Sequence, residues 1–266
     1  MTARERLEQI QVKVHRAQAH FESLTTDVRD YLASKPYAIA TRRAPDTKRL
    51  IYFISSIRPT PPHLSAVLGD TIHNLRSALD HLAYQLVFVG AGKAPSSHVY
   101  FPIADDAAKY LEQRRRQIKG ARPKAISAID ALKPFQGGND VLWRLHKLNN
   151  VDKHRVLITA GSAFRNINLG SHIVREMQRR QPRLADINAG QLSAFFPPAD
   201  RMFPLKTGDE LFIDGPDAEI DNSLEFRFDV AIGEPGVIEG EPVIEAVKPM
   251  SDLVDNIVSS FEPMLS

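Results

Sequence analysis

The chain contains no cysteine, so disulfides, thiol nucleophiles and thiolate metal sites are all excluded. No apolar run approaches the roughly 20 residues needed to span a bilayer. The first residues, Met1-Thr2-Ala3-Arg4-Glu5-Arg6-Leu7-Glu8, carry acids where a secretory signal would not. The expectation is a cytoplasmic protein without a membrane partner. A glycine-rich phosphate loop is missing too: Gly90-Ala91-Gly92-Lys93 has neither the spacing nor the following hydroxyl. Ser162 and Ser193 lack a nucleophile-elbow context. There is no internal repeat, and the single tryptophan, Trp143, reads as a core aromatic.

What is present is the composition of an ordinary globular protein, 43% hydrophobic and 25% charged over 266 residues, long enough to bury a real core. The net charge of +2 is unevenly spread. Residues 207–266 hold 15 carboxylates against two bases, Arg227 and Lys248, a net of −13 that leaves +15 on the rest. The bases are densest at Arg114, Arg115, Arg116, Lys119, Arg122 and Lys124, and again at Arg175, Arg179, Arg180 and Arg183. Such clusters either track a phosphate backbone or face the acidic section of the same chain.

The apolar pattern predicts one long helix over residues 3–34, with Leu7, Ile10, Val14, Ala17, Phe21, Leu24, Val28 and Tyr31 keeping a heptad-like spacing. It needs a long helical partner, from its own bundle or from a second subunit, so a homodimer through this helix is one expectation. A hairpin follows at 37–57, turning at Ala44-Pro45-Asp46-Thr47. Helices are expected near 106–119, 123–132, 139–152 and 248–265, and His98 to Ile103 reads as a short extended segment. Strand candidates are 156–160, 201–205, 210–214, 224–232 and 243–246, the strict alternation Leu224-Glu225-Phe226-Arg227-Phe228-Asp229-Val230 being the strongest. The stretch 171–199 reads as loop with some helix. The fold class expected is α+β: one domain over 1–266, a helical bundle (1–155 and 248–266) carrying a mostly antiparallel sheet from a β-rich section, 156–247.

Two predicted helices carry unusual polar faces. Over 68–86, Leu68, Ile72, Leu75, Leu79 and Leu86 project to one side, while Asp70, His73, Asn74, Ser77 and His81 project to the other. A solvated face would carry Lys and Glu; short polar groups and imidazoles suit a buried cluster or a site. The helix at 139–152 continues the theme with His146, Asn149, Asn150 and Asp152, followed by Lys153 and His154. Side by side, these faces would form either a hydrogen-bonded seam between helices or a pocket. A metal shell drawn from Asp70, His73, His81 and His146 or His154 is a further expectation, although compact ligand pairings such as His-Glu-x-x-His are missing.

Arg76-Ser77-Ala78-Leu79-Asp80-His81 fits Arg-x4-His, a spacing that resembles the motif of HEPN domains, helical bundles found in prokaryotic toxins and defence ribonucleases. The resemblance implies a dimeric, metal-independent endoribonuclease with no cofactor, RNA as partner, and Arg76 and His81 as catalytic groups: the imidazole exchanges a proton and the guanidinium clamps phosphate. Asn74 and Asp80 would orient them, and the residue after the Arg, Asn, Asp or His in many active members, is Ser77 here. A longer resemblance, through Gly69-Asp70-Thr71-Ile72-His73-Asn74-Leu75-Arg76-Ser77-Ala78-Leu79-Asp80-His81-Leu82, Phe101-Pro102-Ile103 and Leu148-Asn149-Asn150-Val151-Asp152-Lys153-His154-Arg155, is to a group of uncharacterised bacterial proteins and implies a shared polar site. Three functions stay open: HEPN-like RNA binding or cleavage, a non-catalytic ligand-binding or interaction protein with a polar seam, and a metal-dependent hydrolase.

Overall fold

A computed structural model describes the chain except for residues 96–97, 155–157, 159, 182, 184–191 and 201 and the side chain of His154. Helix α1 (Ala3–Ala33) opens on a capping box, in which Thr2 Oγ1 accepts from the Glu5 N–H at 3.2 Å and Glu5 Oε2 from the Thr2 N–H at 2.8 Å. The chain then forms β1 (Tyr37–Arg43), β2 (Leu50–Ile57), α2 (Pro62–Ala91), α3 (Ala107–Gln117), α4 (Pro123–Ala131), α5 (Asp140–His154) and β3 (Ala160–Asn168). It continues with α6 (Gly170–Arg180), β4 (Phe195–Phe196), β5 (Glu210–Ile213), β6 (Glu225–Glu234), β7 (Ile238–Pro242) and α7 (Val243–Ser260). This is the α+β architecture that the patterning predicts.

The partner of the long first helix is its own chain. Leu7, Ile10, Val14, Ala17, Leu24, Val28 and Tyr31 are all buried, against α2 and α7. The antiparallel α1–α2 pair runs from His63 Nε2, 3.8 Å from Asp27 Oδ2, to Arg6 Nη1, which donates to Gln85 Oε1 at 2.6 Å. The apolar stripe is therefore used inside the bundle, the first of the two partners expected for it. Leu68, Ile72, Leu75, Leu79, Leu82 and Leu86 of α2 complete this core at 1% exposure or less. Each such side chain contributes about 1.5–3 kcal/mol by leaving water.

Two antiparallel sheets flank the bundle, one ordered β1-β2-β5 and the other β4-β3-β6-β7. The β3–β6 register sets Phe164 opposite Phe228 and Ile167 opposite Phe226. Ile54, Phe164, Ile167, Leu205 and Leu211 make a second core between the sheets. The Tyr37 ring stacks on Phe228 at 4.1 Å.

Several local expectations need correction. Residues 243–246 open α7 instead of forming a strand: Val243, Ala246, Val247, Met250 and Val254 recur at helical spacing and are buried. A four-residue apolar run cannot distinguish the two states, and Pro249 lies inside the helix, not at its start. Met202 and Leu205 each make one backbone bond to β3, yet 202–205 is not a strand, because Pro204 has no N–H to continue a ladder. The strand expected at 156–160 falls mostly outside the described residues, and β3 begins where it was expected to end. Helix α6 and the short β4 fall in the stretch read as loop with some helix, while the pattern marks no strand over most of β3 or over β7.

Candidate functional site

Arg76 and Asp80 stand one helical turn apart on α2 and face the segment that follows the helix. Arg76 Nη2 lies 2.9 Å from Asp80 Oδ1 and donates to the Phe101 carbonyl at 2.8 Å, while the Phe101 N–H donates to Asp80 Oδ1 at 2.9 Å. The ion pair thus satisfies both backbone polar groups of one residue, doing for Phe101 what a neighbouring strand would do. The segment expected to be extended owes its conformation to two side chains of α2, and the Phe101 ring is fully buried. Burial pushes the Arg76 guanidinium down and the Asp80 carboxyl up from their usual pKa values, and each partner's charge opposes the other's shift.

Helix α5 lies alongside. His146 stands close enough to Arg76 that burial, then the guanidinium charge, bring the imidazole down to about 4, so it is neutral at pH 7. Its Nε2 pairs with Asn150 Nδ2 at 3.2 Å. Asn149 is 2% exposed. Arg76 Nη1, His146 Nδ1 and Asn149 Oδ1 are buried with no hydrogen-bond partner among the described residues. One turn further, a Cβ on Gly69 would sit 2.3 Å from Asp152 Oδ1, so a larger residue there would have to turn the Asp152 carboxylate aside. Burial, then the Asp70 charge, raises the Asp152 carboxyl, with His73 opposing. Asn74 is buried and donates to the Asp70 carbonyl of its own helix at 2.8 Å. His73 and Ser77 are half-buried, while Asp70 and Lys153 are exposed. The side chain of His154 lies outside the described residues.

His81 is not part of this contact. Five residues on a continuous helix turn the chain through about 500°, leaving Arg76 and His81 roughly 140° apart in azimuth. His81 is exposed and lines a cleft of about 420 Å³ between α1 and α2, together with Asp80, Gln9, Tyr84, Gln85 and Val99. Partial burial, then the Lys13 charge on α1, lowers its pKa. The polar face of α2 therefore divides: Arg76 and Gly69 lie towards α5, His81 lies towards α1, and Asp80 borders both. Gln9, Tyr84 and Gln85 have no motif that singles them out; only the antiparallel α1–α2 pairing makes them neighbours.

No three His, Asp or Glu side chains among the described residues come together in a way that could hold a metal ion. Trp143 is buried, as expected of a core aromatic, and donates to Asp105 Oδ1 at 3.1 Å. The charge asymmetry has a structural use. Arg42 pairs with Glu210 at 2.6 Å, Arg144 with Glu241 at 3.2 Å, Arg165 with Asp229 at 3.0 Å and Glu245 at 2.5 Å, and Arg175 with Asp221. Arg179 donates to the Asp217 carbonyl and Arg122 to that of Ser266. Much of the acidic section is thus complement to the basic one. Arg115, Arg116, Lys119 and Lys124 are different: all are exposed and none has an ionic partner among the described residues.

No helix among the described residues is long and apolar enough to cross a membrane. No family model, curated protein or solved structure matches the chain.

Proposed function

We propose that this α+β chain is a non-catalytic ligand-binding protein, in which the α2–α5 polar residues form a structural seam and the cleft beside His81 receives the ligand. The observation that carries this reading is the state of Arg76. Its guanidinium is 5% exposed and committed to Asp80 and the Phe101 carbonyl, so it is poorly placed to clamp a phosphate beside His81. Asp80 Oδ1 is already engaged twice, and Asp80 borders a cleft that offers an imidazole, a phenol and two carboxamides. That set suits a small molecule with at least one N–H or O–H donor.

The test is a fragment screen by saturation-transfer NMR, repeated on His81→Ala and Tyr84→Ala, two exposed positions whose replacement leaves folding intact. Hits that both substitutions abolish support the cleft; no hits, or hits indifferent to both, overturn it. In parallel, metal-stripped protein is incubated with a mixed RNA pool. Cleavage that His81→Ala and Arg76→Ala both remove would return the assignment to a HEPN-like ribonuclease.

RNA binding without cleavage is a second reading, favoured by the unpaired surface at Arg115, Arg116, Lys119 and Lys124. Retention of RNA that weakens steeply between 50 and about 200 mM salt, and is lost on replacing these four by Gln, would support it.

A further inference from the structure

The α1 wall of the His81 cleft carries charge that nothing in the chain balances. Arg6 and Lys13 stand three residues before Gln9 and four after it, hence on the face that Gln9 turns to the cleft. Both are half-buried, and neither has an ionic partner among the described residues. The sequence shows why. The positions one turn from either, 2, 3, 9, 10, 16 and 17, are Thr, Ala, Gln, Ile, Arg and Ala, and Glu8 is taken by Arg4 at 3.1 Å. The Lys13 charge reaches across to the His81 imidazole. On the α2 wall the one acid is Asp80, and Arg76 already balances it from behind at 2.9 Å. Residues 96–97, which precede Val99 and lie outside the described part, are serines and bring no charge.

Three features define an occupant. A half-buried cation has given up part of its hydration, so an anion that reaches it gains more than one meeting a fully exposed charge. The carboxamide of Gln85 adds to this: its Oε1 accepts from Arg6 Nη1 at 2.6 Å, which leaves the Nε2 donors for a ligand. Asp80, as a carboxylate, can only accept, and Ile10, Val99 and the Tyr84 ring supply apolar surface. The volume of about 420 Å³ is that of a small-molecule site. We propose, resting on the reading of this cleft as a ligand site, that it takes a small carboxylate with an apolar body and an O–H or N–H donor on the adjacent carbon. The carboxylate faces α1 between Arg6 and Lys13, and the donor faces Asp80.

The experiment titrates the full chain with four probes that share one phenyl body. 3-Phenyllactate and phenylalanine carry both groups, 3-phenylpropanoate lacks the donor, and 3-phenylpropane-1,2-diol lacks the carboxylate. Phenyllactate or phenylalanine is expected to bind about fivefold tighter than the propanoate and the diol, the ratio that one hydrogen bond or one partly exposed ion pair supplies; which of the two is tighter tells a hydroxyl from an ammonium donor. Lys13→Gln should weaken the three carboxylates by about fivefold and leave the diol unchanged, and Tyr84→Ala should weaken all four. A diol as tight as both two-group probes, or carboxylate affinities unmoved by Lys13→Gln, would overturn the inference; if Tyr84→Ala still weakens the probes, the cleft remains a ligand site. Affinities indifferent to Tyr84→Ala would place the probes elsewhere and overturn it too. So would no binding by any probe, and a fragment screen that is also blank would take the cleft reading with it.

Discussion

Replacing Arg76 by methionine separates a seam from a catalytic site. The methionine keeps most of the aliphatic volume and removes the guanidinium, so the Phe101 carbonyl loses its donor and Asp80 loses its counter-charge. Breaking a buried pair from one side typically costs about 3–5 kcal/mol. Asp80 is 19% exposed and keeps the Phe101 N–H bond, which places the loss near the lower end, about 3 kcal/mol. For a chain of this size that lowers Tm by about 6–10 °C. The pH dependence gives a second signature. Asp80 already sits above the usual carboxylate range because of burial, and without Arg76 it rises further. A carboxyl whose folded pKa exceeds its unfolded one favours the folded state as it protonates. The deficit of Arg76→Met should therefore be largest near pH 7 and shrink as pH falls towards the carboxylate range. Adding Asp80→Asn should recover part of the loss by leaving no lone charge. Thermal melts of both variants and the wild type between pH 7 and 4.5 decide the matter. A Tm within about 1 °C of wild type, or a deficit that grows on acidification, would refute the reasoning.

Three other outcomes follow from the same geometry. His81→Ala should leave Tm within the range of an ordinary surface substitution, about 0.5 kcal/mol either way, and a fall of several degrees would put His81 in the seam. Gly69→Val should displace the Asp152 carboxylate and crowd the α2–α5 contact, costing about 1–3 kcal/mol, with partial rescue by Asp152→Ala; an unchanged melt would mean that the carboxylate moves aside freely. His146, held neutral to about pH 4, takes up its proton later than the unfolded chain does, so it lowers stability from about pH 7 downwards, by up to about 3 kcal/mol at pH 4. His146→Gln should flatten that slope relative to wild type, and parallel slopes in urea titrations across this range would contradict the assignment.

How far the sequence could be read depended on how local each determinant is. The long helices α1, α2 and α5 and the hairpin announced themselves through apolar period and turn residues, because those signals lie within one element. Strand β3, Ala-Gly-Ser-Ala-Phe-Arg-Asn-Ile-Asn, has small residues and a bulge between Phe164 and Asn166 that break its alternation, and only pairing with β6 makes it a strand. The close approach at Gly69 left no local trace, since a glycine inside a helix reads as a weakness until the facing Asp152 is known.

The candidate site shows the same division more sharply. Residues at i and i+4 share a helix face and residues at i and i+5 do not, so the spacing that mattered in Arg76-Ser77-Ala78-Leu79-Asp80-His81 is Arg76 to Asp80. That pair grips Phe101, and the same α2 face meets Asp152 at Gly69. The stretches around Arg76, Phe101 and Asp152 therefore meet in one packed contact, which accounts for these residue types without any chemistry. What packing does not explain is an exposed imidazole at His81, beside Asp80 in the wall of a cleft. Asp80 is common to both arrangements, so a ligand that bonds its carboxylate also fixes the group that holds Phe101. Occupancy of the cleft should accordingly slow amide exchange at Phe101 in wild type and leave it unchanged in Asp80→Asn.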